Sequence, residues 1–157
     1  MQKSNVSIIE ILGTIVEYRN LESGEHIQRV KSYTRILGEQ LMEDYPEYNL
    51  TSKQLNVIVS ASALHDVGKI AIPDSILLKP GRLTKEEFEY MKEHTTKGCE
   101  IINNIRGVWS EEYAKASYEI CRHHHERYDG RGYPDGILGE NICLLYTSPS
   151  PRDKRQS

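Results

Sequence analysis

Apolar residues recur at spacings of three and four through most of this chain, and no alternating run of useful length precedes residue 140. That periodicity fits helices and leaves no strand to build a sheet, so the predicted fold class is all-α. Ile8, Ile11, Leu12, Ile15 and Val16 predict a helix over about residues 6 to 18. Ile27, Val30, Thr34, Leu37 and Leu41 predict a second, reaching about Asp44 before Pro46. In the third, Leu55, Ile58, Val59, Ala61, Ser62 and Ala63 are apolar or small on nearly all sides, which predicts a central helix. A length of 157 residues suits one domain with a single core.

Local signals set the remaining boundaries. Thr51 with Gln54 and Thr84 with Glu87 have capping-box spacing, and Ser110 before Glu111 and Glu112 is a third helix start. The helix opened by Thr84 is expected to run through Phe88, Met91 and His94, and to resume over about residues 95 to 105 after a break near Gly98. The Ser110 helix is expected to run into His123-His124-His125. Residues 72–81 carry Pro73 and Pro80, with room for one helical turn between them. Residues 129–136 form a glycine-rich loop.

A net charge of −3 gives no hint of a surface for a nucleic acid duplex, and none is expected as a partner. The first residues do not read as a signal peptide, and no apolar run approaches membrane-spanning length. Cys99, Cys121 and Cys143 lack paired spacing, which predicts a reducing, cytoplasmic setting.

Chemistry concentrates in the nitrogen and oxygen donors. His65-Asp66 is expected at the end of the third helix, with Gly68 as its stop; the two side chains would project about 100° apart and reach one metal, while a carboxylate oxygen bridges to a second. Glu22 and His26, His94, and the run His123-His124-His125 supply matching donors elsewhere. Any one of these histidines alone reads as a core or surface residue. Five of these six histidines and two acids gathered at helix ends point instead to a multinuclear site for Fe, Mn, Co, Ni or Zn, because thiolates are absent from the set. Two such metals would activate a water and neutralise a phosphate.

The texts Glu22-x-x-x-His26, His65-Asp66-Val67-Gly68-Lys69, Ile72-Pro73-Asp74, Lys79-Pro80-Gly81, His94, His124-His125-Glu126 and Asp129-Gly130-Arg131-Gly132-Tyr133-Pro134 occur in that order. Together they resemble the HD-GYP family, a branch of the HD phosphohydrolase superfamily, over about residues 8 to 142. The resemblance implies an HD-type helical bundle with a glycine-rich loop, and a phosphodiesterase of cyclic di-GMP carrying two or three divalent metals, often iron or manganese. It implies Glu22, His26, His65, Asp66, His94, His124 and His125 as metal ligands, with Asp66 bridging and catalytic. Lys69 would meet a substrate phosphate, while Gly132 and Tyr133 would line the nucleotide pocket. His123 is read as a neighbour, not a ligand. The expected reaction is attack of an activated water on phosphorus, with the charge of the transition state offset by the metals and Lys69. A fused sensor or receiver domain and a homodimer are further expectations. The competing readings are an inactive module that binds a cyclic dinucleotide or a protein, and an HD hydrolase of another nucleotide.

After Ile142 the family pattern stops. Members continue with a proline and a helix bearing a further metal-ligating aspartate, then two more helices, whereas Cys143-Leu144-Leu145-Tyr146-Thr147-Ser148-Pro149 has no such pattern. Reverse translation of this stretch permits a transposase sequencing adaptor. The expectation is therefore a domain over residues 1 to 142 that lacks its last helices and one metal-ligating carboxylate, a fragment of impaired activity, and a non-native or disordered tail over residues 143 to 157.

Overall fold

A computed structural model describes residues 3–19 and 25–142. Within them lie seven α-helices: α1 (Lys3–Arg19), α2 (Glu25–Asp44), α3 (Ser52–Ala61), α4 (Asp74–Leu77), α5 (Lys85–Lys92), α6 (His94–Asn104) and α7 (Glu111–His123). Short 3-10 turns join them. Among the described residues the only β-pairing is an isolated antiparallel bridge between Asp129 and Leu138, so the all-α expectation holds. Glu22 and the tail over residues 143 to 157 lie outside the described residues. No described helix is long and apolar enough to cross a membrane.

The helix starts follow local chemistry. The Gln54 N–H donates to Thr51 Oγ1 at 3.2 Å while the Thr51 N–H donates to Gln54 Oε1 at 2.9 Å, which closes the predicted capping box. Thr84 and Glu87 do the same at 3.2 and 2.7 Å, and the Ser110 hydroxyl accepts from the Tyr113 N–H. Each cap satisfies a donor that the first helical turn would leave bare, and contributes about 1 kcal/mol.

α3 is central, as its composition predicts: Leu55, Ile58, Val59 and Ala61 are buried, and the helix packs against both α2 and α7. Around it close Val16 of α1, Ile27 of α2, Ile102 of α6, and Tyr113 and Ile120 of α7. Each fully buried isoleucine or leucine stabilises the fold by about 1.5–3 kcal/mol. α1 and α2 bury little else among their described side chains. On their outer sides Ile11, Ile15, Tyr18, Tyr33 and Ile36 are each more than half exposed.

Two local expectations are corrected. α3 stops at Ala61, so His65 and Asp66 stand in a turn between the 3-10 segments Ser62–Leu64 and Val67–Ala71, not on the helix. The predicted break at Gly98 falls instead at Glu93, so His94 opens α6 rather than closing the helix before it. One packing contact explains both. A Cβ at Gly68 would lie 1.8 Å from the His94 carbonyl oxygen, and a Cβ at Gly98 would lie 2.3 Å from Cys121 Sγ and 3.1 Å from the Gly68 nitrogen. The two glycines let the 67–71 turn cross α6 backbone to backbone. Neither is there to end a helix.

Candidate metal centre

That crossing brings the donor-bearing turns together. One ligand atom each from Asp66, His94, His124 and His125 lies within 4.8 Å of all the others. The His65 ring is 5.3 Å from that of His124, and the His26 ring 5.7 Å from that of His65. His26 enters from the first turn of α2, and His124 and His125 leave the end of α7.

Three imidazoles are aimed by their own backbone. His65 Nδ1 donates to the Ser62 carbonyl at 2.9 Å, His94 Nδ1 to Met91 at 2.7 Å and His124 Nδ1 to Cys121 at 3.0 Å. In each pair the acceptor lies three residues back. A carbonyl can only accept, so Nδ1 carries the proton and Nε2 turns its lone pair inward. Such outer hydrogen bonds fix the tautomer and orientation of metal-ligating histidines.

The inward face is rich in electron pairs and poor in protons. His94 Nε2 faces His124 Nε2 at 3.3 Å, although neither has a proton to give the other. Asp66 Oδ1 is buried among them without a hydrogen bond, 3.4 Å from His94 Nε2 and 3.6 Å from His124 Nε2. Its other oxygen accepts from Lys69 Nζ at 2.8 Å and meets His65 Nε2 at 3.1 Å. A buried acceptor left unsatisfied costs about 1–3 kcal/mol. Lone pairs converging on a bare carboxylate oxygen are relieved by a cation, so this donor set fits a divalent transition metal.

Titration behaviour follows the same geometry. Burial would raise the Asp66 carboxyl, but the contacts with His124 and His65 and the charge of Lys69 hold it well below the usual range. Burial favours neutral His65, yet the Asp66 carboxylate and the Ser62 carbonyl outweigh it and raise the ring's pKa. Burial lowers His94 to about 4, and burial with the neighbouring imidazoles lowers His125 to about 3. These two rings are neutral near neutral pH, the state that binds a metal.

Of the residues singled out in the sequence, Asp66, Lys69, His65, His94, His124, His125 and His26 come together here, and Glu22 lies outside the described residues. His123 points elsewhere, with Nδ1 3.1 Å from Glu119 and Nε2 3.1 Å from Asp135. The Tyr133 ring stacks on His125 at 4.6 Å and 22°, with Lys92 Nζ 5.6 Å from its centroid. Gly132 lets this loop close in, because a Cβ there would lie 2.4 Å from Glu126 Cα.

Sequence reasoning carried Glu126 only as part of a motif, and the structure gives it a task. Its Oε1 accepts from the N–H groups of Asp135 and Gly136 at 2.7 and 3.1 Å, and its Oε2 from that of Ile137 at 3.0 Å. Arg122 grips the Asp135 carboxylate with two hydrogen bonds of 2.7 Å each. The signal was available in principle: loop amides without a ladder need acceptors, and an acid stands just before the loop.

The family described as HD domain matches residues 15–145. The chain belongs to the HD domain family. The text His124-His125-Glu126 followed by Gly132-Tyr133-Pro134 places this HD domain in the HD-GYP branch. It is similar to a cyclic di-GMP phosphodiesterase of Vibrio cholerae serotype O1, 41% identical over 143 residues, which cover 89% of this chain and 29% of that protein. The cyclic di-GMP phosphodiesterase response regulator RpfG of Xanthomonas campestris pv. campestris is 39% identical over 133 residues, 85% of this chain and 32% of that protein. A 3'3'-cGAMP-specific phosphodiesterase 2 of the same Vibrio cholerae is 37% identical over 144 residues, 92% of this chain and 26% of that protein. The HD domain thus spans about a third or less of the length of these curated relatives.

Proposed function

We propose that this HD-GYP domain hydrolyses a phosphodiester bond of cyclic di-GMP, using two or three divalent metals, iron or manganese. The observation that carries the reading is the buried Asp66 Oδ1, bare of hydrogen bonds and ringed by inward-facing imidazole nitrogens. Relatives named cyclic di-GMP phosphodiesterases support the choice of substrate.

His65, Asp66, His94, His124 and His125 would hold the metals, with His26 serving from the first turn of α2 and Glu22, outside the described residues, completing the set. When bound, the ions supply Lewis acidity to a phosphate and to the attacking water. The chain's residues do the rest. His94 and His124 keep Nε2 unprotonated through their backbone hydrogen bonds, and Asp66 offers one oxygen inward while Lys69 holds the other. The Lys69 ammonium stands at the edge of the cluster, where it offsets charge that develops on the phosphoryl oxygens. Tyr133 and Gly132 form the wall beside His125 against which the nucleotide lies.

Elemental analysis of the purified protein beside product analysis with cyclic di-GMP tests this. The expected result is iron or manganese in the protein and release of the linear dinucleotide or GMP. Bound metal with nucleotide retained and no product would instead mark a binding module. The relative named as specific for 3'3'-cGAMP favours one second reading, the mixed cyclic dinucleotide as substrate. Parallel assays with that compound decide between them. A cytoplasmic location, a fused sensor or receiver domain and a homodimer complete the proposal, the second supported by the relative named as a response regulator.

A further inference from the structure

Arg19, the last residue of α1, does more than end a helix. Its Nη1 donates to the carbonyl oxygens of Lys69 at 2.8 Å and Ile70 at 2.7 Å. Its Nη2 donates to the carbonyl of Ile72 at 2.7 Å and to the Asp74 carboxylate at 2.8 Å. All four acceptors belong to residues 69–74, the stretch that leaves the His65-Asp66 turn and carries Lys69. Within it the Ile72 N–H donates to the Lys69 carbonyl, so that oxygen accepts from both sides.

We infer that Arg19 is a positioning residue: it fixes the backbone of Lys69, and with it the place where the lysine ammonium meets Asp66. Packing anchors the two ends, since Gly68 lies against α6 and Ile72 is buried. But a 3-10 turn leaves several carbonyls unsatisfied, and between those anchors Ile70 and Ala71 are exposed, so the clamp is what fixes the backbone at Lys69 and Ile70. A guanidinium suits the task because it offers five N–H donors in a rigid plane, whereas an ammonium offers three on a flexible stem. The clamp also accounts for Ile72-Pro73-Asp74, which supplies two of the four acceptors and to which the metal centre assigns no part. Since α1 leads on to α2 and His26, Arg19 braces the two sides of the centre against each other.

The inference rests on the proposed hydrolysis for its kinetic test, and a second measurement stands free of it. In Arg19→Lys, hydrogen exchange over residues 69–74 should quicken while metal content stays that of the parent. The kcat should fall between about tenfold and a hundredfold, since small misplacements near a reacting group have costs of that order, with KM within about twofold. On a Lys69→Met background the same change should cost less than about twofold, because coupled residues do not add. Unchanged exchange over 69–74 overturns the inference whatever the substrate proves to be. So does a full, additive loss on the Lys69→Met background. If Arg19→Lys fails to fold, Asp74→Asn removes one of the four contacts, and faster exchange over 69–74 is again required. If no cyclic dinucleotide is turned over by the parent, the proposed function fails and the exchange result alone decides the role of Arg19.

Discussion

The two sides of this domain hold their side chains in different ways. Around Asp66, imidazoles are pinned by carbonyls three residues back, and the turns that carry them cross at Gly68 and Gly98 with no room for a methyl group. On the outer faces of α1 and α2, Ile11, Ile15, Tyr18, Tyr33 and Ile36 stand exposed, and packing there constrains little. The contrast teaches that the metal side is ordered by backbone contacts in which each atom has one permitted place. α1 and α2 are ordered from their inner sides, by Val16 and Ile27 and by close approaches at Gly13 and Gly38, and their outer faces add little.

The comparison can be broken most sharply at Asp66. Asp66→Ala removes the inward oxygen and leaves Lys69 without its carboxylate, so hydrolysis should fall on the order of a thousandfold and elemental analysis should show lost metal. Retained metal and activity would show that the centre does not depend on this residue. Next in size, Gly68→Ala should destabilise by about 3 kcal/mol or more in urea titration, because its Cβ would meet backbone that cannot yield. Glu126→Gln should follow, with KM for the cyclic dinucleotide up about tenfold and metal content unchanged, since the loop loses a charged acceptor but the ligands keep their carbonyls.

A smaller effect tests the titration behaviour of the metal side. His94 and His125 have folded pKa values of about 4 and about 3, below the unfolded value of about 6.5. Between those values the unfolded chain binds more protons, so the chelator-treated protein should lose stability as pH falls from about 6.5 toward 4. His65, whose pKa is raised, opposes this with one group against two. Urea midpoints at pH 7 and pH 5 give the sign. The smallest effect belongs to the outer face: Ile15→Lys should change stability by less than about 0.5 kcal/mol. A larger loss would mean that this face is packed, and the contrast between the two sides would fall.

Much of the molecule was legible in the sequence because its signals are local. Thr51 with Gln54, Thr84 with Glu87, and Ser110 announce three helix starts, and each cap is closed by residues within one turn. The cluster around Asp66 was legible through residue type and order. What escaped is tertiary. A glycine in a helical stretch signals a break and a close crossing with the same letter, so Gly98 was misread and the break at Glu93 was missed. The end of α3 at Ala61, Glu126 beneath its loop and Arg19 across 50 residues depend on partners that no local pattern names.

His65, His94 and His124 are oriented by carbonyls three residues back, whereas the Tyr133 loop is held by Glu126 and Arg122, which take no part in aiming those rings, and it meets the centre where Tyr133 stacks on His125. Aim and access therefore have separate supports. On the proposed function, substitutions along residues 127–139 would alter which nucleotide is admitted while the rings of His65, His94 and His124 keep their orientation.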